Sequence, residues 1–401
     1  EKILKNKFFA LISSVLFLVL AVHFETIFWI SSTGHVIASL AAMVSLYLYM
    51  LWRDKKNYLL LFVSIASAFV GMLFHEFGII TPLLICAYEL IFRSPEFSIK
   101  KLSKHWSSWI YTLLIPIYLI MRVSANSHWM QGDYSYNIVK LPLNFVGNIV
   151  GYIGITILGS RFLPFQTALR EIGKTNLGVA FIIVSLLAIV ALFIYYALRK
   201  ANKETKQVVV FSFVFFIVAL SPFLGLGNIA IRYAYLPSFA LVLLFTALLQ
   251  ILYVRLKKLN RIGALVIVLA MVTAISAWNI TELNRVNKDW KRAGDITQNL
   301  LVGFNDYFPR AKATPQNPVF YFVDVPIRTG EAWIFPVGLD DALWFTFQNE
   351  NLTVKTSNNL ELALDEAEGS QSARVFQFGK DGTVEEVTRT MPVIEAPIHG
   401  K

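Results

Sequence analysis

The sequence predicts a mainly α, polytopic membrane protein with a small α+β domain at its C-terminal end. Hydrophobic residues occupy 56% of the 401 positions and charged residues only 15%, whereas soluble domains average about 45–50% and about 25%. Many apolar residues lie in runs long enough to cross the roughly 30 Å hydrocarbon core of a bilayer. Past residue 282 these runs stop, and short segments typical of strands take their place.

Nine apolar runs are predicted to cross the membrane. They lie near residues 8–22, 35–52, 57–74, 77–92, 106–123, 177–198, 207–223, 233–254 and 262–279. A tenth run, 141–159, contains Pro142, Asn144 and Asn148. Because a crossing there would reverse the side of every later loop, we expect this run to lie along the outer surface or to re-enter.

Lysine and arginine predict which loops face the cytoplasm, where such residues concentrate. Five basic clusters lie at residues 2–7, 53–56, 93–104, 199–206 and 255–261. With nine crossings, all five clusters face the cytoplasm. The net charge of +10 then reflects cytoplasmic loops rather than nucleic-acid binding.

The residues after 282 predict a separate domain, so the chain divides into 1–282 and 283–401. NRVNKDWKRAGDITQNLL indicates an amphipathic helix that leaves the membrane. Strands are predicted for PVFYFVDVP, AWIFPVG, ALWFTFQ, LTVKT and ARVFQFGKDGTVEEVT, the last with a KDG hairpin signal. An odd number of crossings places this small α+β domain on the extracytoplasmic side.

Ionisable residues gather at the predicted outer ends of the spans. His23 and Glu25 stand in AVHFETIFWI, and His75 and Glu76 stand in FHEFGIITP. A charge in hydrocarbon costs about 2.5–3.5 kcal/mol or more, so such residues face a protein interior or a wet cavity. Either pair alone could simply end its helices or could serve as an acid–base or phosphate-contacting group. Two such pairs at one depth favour a shared polar cavity.

Arg232, in NIAIRYAYLPSF, is an unusual cation for the predicted outer face. A guanidinium is suited to grip a lipid phosphate, and a structural salt bridge is the competing interpretation. Tyr233 and Tyr235 either stack on a sugar or belong to an interfacial aromatic belt. Arg122, at the end of a span, is a weaker candidate for a phosphate contact.

The outer loop SANSHWMQGDYSYN supplies weaker candidates. Trp129, Asp133 and Tyr134 could shape a sugar pocket, and a solvated loop without a role is the alternative. The sequence has no Cys/His metal spacing, phosphate-cradling glycine loop or nucleophile elbow. No cofactor is predicted, and a divalent metal is left open.

Three stretches, in this order, resemble motifs of the GT-C-fold glycosyltransferases. They are AVHFETIFWISSTGHVIASLAAMVSLYLYM, FHEFGIITPLLICAYELIF and IRYAYLPSFALVLLF. RVNKDWKRAGDITQNLL is similar to the exit helix of the same enzymes, and the resemblance covers about residues 8–300. The relatives in question are protein O-mannosyltransferases and the transmembrane, tetratricopeptide-bearing mannosyltransferases.

The resemblance implies transfer of a sugar from a polyprenyl-phosphate donor to an unknown protein or glycan acceptor, with inversion at the anomeric carbon. The reaction would take place on the non-cytoplasmic face, most simply of a bacterial plasma membrane. Glu76 and Arg232 match the glutamate and arginine of the family, and His23 and Glu25 match its first motif. His75 stands where the family has lysine, which implies a weaker, pH-dependent phosphate contact.

The resemblance also implies an incomplete catalytic set. The family places an acidic motif, which supplies the general base, in an outer loop after its first helix, so that loop and the first two helices are expected upstream of Glu1. The tetratricopeptide array is replaced by the small sheet-bearing domain.

Two other functions stay open on the sequence. A transporter or flippase for a lipid-linked glycan would use the same arginine and acids, but it should carry polar residues deep in its spans. Here the span centres are almost wholly apolar. A non-catalytic membrane assembly subunit is the other alternative.

Overall fold

The chain divides into two compact units, Glu1–Asn284 and Arg285–Lys401, close to the predicted boundary between residues 282 and 283. The computed structural model describes residues 1–93, 106–126, 136–175, 177–199, 201–304, 318–370, 372–379 and 382–388. The first unit is helical, and the second carries the sheet.

The helices of the first unit follow the apolar runs closely. They are α1 (Lys7–Val19), α2 (Phe24–Phe28), α3 (Thr33–Lys55), α4 (Tyr58–Phe74), α5 (Thr81–Tyr88), α6 (Trp106–Thr112), α7 (Leu114–Ser124), α8 (Leu141–Leu158), α9 (Phe162–Thr175), α10 (Leu177–Arg199), α11 (Lys203–Leu224), α12 (Tyr235–Leu256) and α13 (Arg261–Gln298). Short 3₁₀ turns at Ala21–His23, Ile30–Ser32, Glu76–Ile80 and Ile231–Ala234 join several of them. Helix α13 merges the last predicted span with the predicted exit helix and continues past the unit boundary.

Within the described residues, 6 helical segments are long and apolar enough to cross a membrane. They are Ile30–Lys55, Ser107–Ser124, Leu141–Leu158, Lys203–Leu224, Ile231–Leu256 and Arg261–Gly303. The bent pair Lys7–Val19 and Ala21–Phe28 adds a further one if its 51° bend lies within a single span. The chain is accordingly a multi-pass membrane protein. The figure of nine crossings stays a prediction, as does the surface position of α8, which is itself a continuous apolar helix.

Members of three basic clusters meet at one end of the helical unit. Lys2 Nζ lies 2.7 Å from the carboxylate of Asp54, which also pairs with Arg93. Gln207, next to a fourth cluster, donates a hydrogen bond to the carbonyl of Ile91 at 2.6 Å. Helices α4 and α11 both begin at this end. The segments that follow them, with His75 and Arg232, therefore lie toward the other end.

Helices α3 and α4 pack through small and hydroxyl-bearing side chains. Ser64 donates to the carbonyl of Ser45 at 2.6 Å, and Ser67 donates to the carbonyl of Ala41 at 2.9 Å. Small residues let helix backbones approach closely in a membrane, where burial of apolar surface adds little to helix association. This approach brings the start of α3 beside the end of α4.

The two asparagines of α8 bind the backbone at the end of α11. Asn148 Nδ2 lies within 3.2 Å of the carbonyls of Phe223, Leu224 and Leu226, and Asn144 Nδ2 donates to that of Gly225 at 3.0 Å. The last carbonyls of a helix have no partners within the helix itself. These amides therefore satisfy the end of α11 and hold the segment that leads to Arg232.

The second unit contains a four-stranded sheet of order β4-β1-β5-β6. Its strands are β1 (Val319–Val323), β4 (Thr353–Ser357), β5 (Ala373–Phe378) and β6 (Val384–Glu386); β2 (Arg328–Thr329) and β3 (Ala332–Trp333) form a separate ribbon. Strand β1 is parallel to β4 and β5, and β6 pairs antiparallel with β5. The last pairing confirms the predicted hairpin.

Alternating residues of β1 face two separate cores. Phe320 and Phe322 point into a phenylalanine-rich cluster, whereas Tyr321 and Val323 pack against α15 (Leu360–Ala367). Such alternation follows from the two-residue period of a strand. The sheet is thus covered on both faces.

One predicted strand, ALWFTFQ, is wrong: it belongs to helix α14 (Leu339–Phe347). Leu339, Leu343 and Phe347 recur at four-residue spacing and are all buried in the phenylalanine-rich cluster. Two aspartates occupy the first turn, where a helix dipole favours negative charge. The helical period and this N-terminal charge outweigh the local β propensity of the aromatic residues.

Candidate functional site

A cavity of about 690 Å³ opens among the helix ends of the first unit. This volume lies within the roughly 300–1,000 Å³ range of small-molecule sites. Its polar and aromatic lining comes from segments that are far apart in the sequence: Trp29, Ser31, Ser32, His35, His75, Glu76, Phe77, Tyr118, Arg122, Phe223, Arg232 and Tyr233. The predicted candidates His75, Glu76, Arg232 and Tyr233 therefore converge on one space.

Arg232 is held by the buried carboxylate of Glu25. Arg232 Nη1 lies 2.9 Å from Oε1 of Glu25, and the backbone N–H of Arg232 donates to Oε2 at 3.1 Å. Glu25 is 3% exposed. The structural salt bridge considered for Arg232 thus exists, and it uses one carboxylate to fix both the backbone and the side chain of the arginine.

Aromatic rings fix the remaining freedom of Arg232. Its guanidinium carbon lies 5.1 Å from the ring centroid of Trp29 and 5.0 Å from that of Tyr233. Tyr233 in turn stacks on Phe223, with ring centroids 3.8 Å apart and planes 4° apart. Tyr233 is therefore packed against protein and takes part in orienting the arginine.

Glu76 lies beside Arg122 in the lining of the cavity, and much of its side chain is exposed. Glu76 Oε2 lies 3.6 Å from Nη1 of Arg122, and 57% of the glutamate side chain is exposed. Arg122 also donates to the hydroxyl of Tyr118 at 3.1 Å. Glu76 Oε2 also lies 4.0 Å from Nδ1 of His75. Glu76 thus contacts His75 and Arg122, whereas Glu25 neutralises Arg232.

His75 follows α4 in an extended conformation and begins the next turn. Its Nδ1 accepts a hydrogen bond from the backbone N–H of Phe77 at 3.3 Å, which leaves Nε2 to carry the proton of the neutral ring. Burial lowers the pKa of His75 below its ordinary value, although Glu76 opposes the shift. The imidazole is therefore a neutral hydrogen-bond donor near pH 7.

His35 lines the same cavity and was not among the sequence candidates. Its ring centroid lies 3.8 Å from that of His75 and 5.5 Å from that of Tyr233. The residue stands in the first turn of α3, just after the WISS segment of the first motif. A histidine at the start of an apolar span, next to a motif already singled out, was the signal that could have identified it.

His23 and Tyr235 serve the packing of the helical unit. His23 is 4% exposed, and its Nε2 lies 2.8 Å from the hydroxyl of Ser238. Its ring packs between Phe17 and Tyr235, at centroid distances of 4.6 and 4.7 Å. Neither His23 nor Tyr235 lines the cavity of about 690 Å³. The catalytic role predicted for His23 and the sugar contact considered for Tyr235 therefore gain no support from its geometry.

The loop candidates Trp129, Asp133 and Tyr134 lie outside the described residues. Just after them, Tyr136 donates its hydroxyl hydrogen to the carbonyl of Pro222 at 2.7 Å.

Among the residues that the structure describes, no three His, Cys, Asp or Glu side chains are grouped to hold a metal ion. No ligand is therefore assigned to a metal.

Gly78 allows the turn after His75 to press against α4. A Cβ added at Gly78 would lie 2.6 Å from the carbonyl carbon and 2.7 Å from the carbonyl oxygen of Gly71. We expect Gly78→Ala to displace the turn that carries Glu76 and to cost about 1–3 kcal/mol of stability. Thermal unfolding in detergent measures this loss.

Gly147→Ala is the matched control, since nothing lies within 4 Å of a Cβ at that helical position. It should leave the unfolding midpoint unchanged or raise it, because alanine favours a helix over glycine. Equal behaviour of the two variants would contradict the close approach at Gly78.

No protein-family model matches this chain. Searches of curated proteins and of solved structures likewise found no match.

Proposed function

We propose that this protein transfers a sugar from a polyprenyl-phosphate donor to an acceptor on the non-cytoplasmic side of a membrane, as a GT-C-type glycosyltransferase. The observation that carries the proposal is the convergence of Arg232, Arg122 and His75 on one aromatic-lined cavity. This cavity lies at helix ends that face away from the basic end of the unit, which the positive-inside rule assigns to the cytoplasm.

The donor groups of the cavity suit a phosphate ester. Guanidinium groups bind phosphate oxygens through paired N–H donors, and an imidazole N–H can add another. Arg232 is already oriented by Glu25 and two aromatic rings. An oriented cation loses little conformational freedom on binding, which favours affinity and stabilises the charge of a leaving phosphate.

Other features of the cavity suit the sugar and the acceptor. Trp29 and Tyr118 offer aromatic ring faces for a sugar. Glu76 is an exposed carboxylate beside the proposed phosphate contacts and is suited to position an acceptor hydroxyl. We also propose that the second unit is extracytoplasmic and that the membrane is a bacterial plasma membrane.

The proposed reaction is a displacement at the anomeric carbon. The acceptor oxygen forms a bond to that carbon on the face opposite the phosphate, and the carbon–oxygen bond to the phosphate breaks. The polyprenyl phosphate leaves with the bonding electrons, while the hydroxyl proton passes to a base. Arg232, Arg122 and His75 stabilise the departing phosphate.

The buried polar residues support a transporter less well than they support a glycosyltransferase. Asn144 and Asn148 are the two asparagines of the tenth apolar run, and their amide hydrogens bind the end of α11. They do not line the cavity. This arrangement favours a site at the helix ends over a path between the helices.

The test uses the full-length protein in lipid nanodiscs with a radiolabelled polyprenyl-phosphate sugar. We expect saturable binding that polyprenyl phosphate displaces and polyprenol, which lacks the phosphate, does not. With a suitable acceptor preparation, the label should move from the lipid to a water-soluble or protein fraction.

Other outcomes separate the alternatives. Movement of intact donor across sealed vesicles without transfer would support a flippase. Absence of phosphate-dependent binding would reject the proposal, because the convergence of cations is its basis.

A further inference from the structure

His35 is the buried histidine of the cavity whose ring nitrogens have no hydrogen-bond partner in the described part of the chain. It is only 7% exposed, and both Nδ1 and Nε2 are buried without an acceptor or donor. A buried polar group left unpaired costs free energy, so native proteins rarely keep one without a reason. His23, which is also buried, has the hydroxyl of Ser238 as its hydrogen-bond partner.

The surroundings of His35 point to an anionic partner. Its ring stacks on Phe77 at 5.6 Å with planes 25° apart and lies against His75 at 3.8 Å. The ring centroid of Tyr233 lies 5.5 Å from that of His35. The guanidinium of Arg232 lies over the ring of Tyr233. The rings thus hold the imidazole among the donors that surround Arg232.

The charges around this group leave room for an anion. Arg232 is balanced by Glu25, and Arg122 by Glu76. Two imidazoles in contact then add two neutral N–H donors beside these paired charges. An incoming anionic oxygen would accept a hydrogen bond from such a donor.

We propose that His35 is a ligand-contacting residue of this cavity, whose ring N–H donates a hydrogen bond to a phosphate oxygen of the lipid-linked donor. This inference rests on the proposed function, because it takes the phosphate ester as the occupant. It accounts for a buried imidazole whose nitrogens have no hydrogen-bond partner among the described residues: the partner arrives with the ligand. His75, whose Nδ1 is engaged by Phe77, forms the adjacent donor.

His35→Phe tests the inference, because it keeps a flat ring of similar size and removes both nitrogens. We expect the variant to bind polyprenyl phosphate in nanodiscs about tenfold more weakly or worse, the usual loss for a hydrogen bond to a charged group. Its thermal unfolding midpoint should stay the same or rise, since an unpaired polar group leaves the interior. His35→Gln, which retains an N–H donor, should recover most of the affinity.

Tyr47→Phe is the control on the same helix, because Tyr47 is 49% exposed and does not line the cavity. It should bind like the wild type. Inorganic phosphate is the second probe: if it competes as well as polyprenyl phosphate and loses that ability in His35→Phe, the contact stands and the lipid source is rejected.

The remaining outcomes overturn the inference in distinct ways. Wild-type affinity in His35→Phe would remove His35 from the ligand contacts and leave the proposed function intact. A lower unfolding midpoint in His35→Phe would make His35 a structural residue. Failure of the wild-type protein itself to bind polyprenyl phosphate would reject the proposed function and, with it, this contact.

Discussion

On the proposed function, Arg232→Ala is expected to lower sugar transfer from the lipid donor by more than about tenfold. Removal of one oriented donor to a developing anion typically costs at least that much. The substitution also leaves Glu25, which is 3% exposed, without its cation. A buried charge without its partner costs about 3–5 kcal/mol, so the single variant loses stability as well as activity.

A double variant separates the two effects on Arg232. Arg232→Met with Glu25→Gln removes both charges and keeps the approximate side-chain volumes, which is often close to neutral for stability. We expect its thermal unfolding midpoint to return toward that of the wild type while transfer stays low. Recovery of transfer together with stability would show that the arginine serves only the fold.

Glu89→Ala is expected to give the largest loss of stability outside the cavity, about 3–5 kcal/mol. Glu89 is fully buried, accepts a hydrogen bond from Tyr49 Oη at 2.9 Å and lies 2.8 Å from Nε of Arg53. The arginine side chain is only 16% exposed, so loss of the carboxylate leaves a poorly hydrated cation. The shift in the thermal unfolding midpoint in detergent measures this effect.

Asp54→Ala provides the comparison for Glu89, since Asp54 also pairs with cations at the same end of the unit. Its side chain is 37% exposed, and its partner Lys2 is 40% exposed. Exposed ion pairs contribute about 0–1 kcal/mol, so this variant should unfold within a few degrees of the wild type. Equal losses in the two variants would refute the argument from burial.

The membrane class and the rough position of the helices were predictable from composition and apolar runs. A span of apolar residues has few folded solutions in lipid, because its backbone groups must bond to one another. His75, Glu76 and Arg232 were predicted as site residues because they lie at the ends of spans. An ionisable residue there is costly unless it faces water or a partner.

The sequence does not predict which carboxylate pairs with which arginine. Glu25 and Arg232 are 207 positions apart, and Glu76 binds Arg122 rather than Arg232. Which carboxylate meets which arginine depends on how helix ends are placed in space. The same holds for His35, whose lack of a hydrogen-bond partner among the described residues can be seen only in three dimensions.

Local pattern and packing also disagree at α14. The aromatic run from Leu339 to Phe347 has strand-like composition, but burial of every fourth residue against the sheet selects a helix. Periodicity along the chain thus decides the class of this protein and which ionisable residues lie at the ends of its helices. Side-chain pairing across distant segments decides which of them form the cavity, because contact energies depend on distances that a linear pattern does not contain.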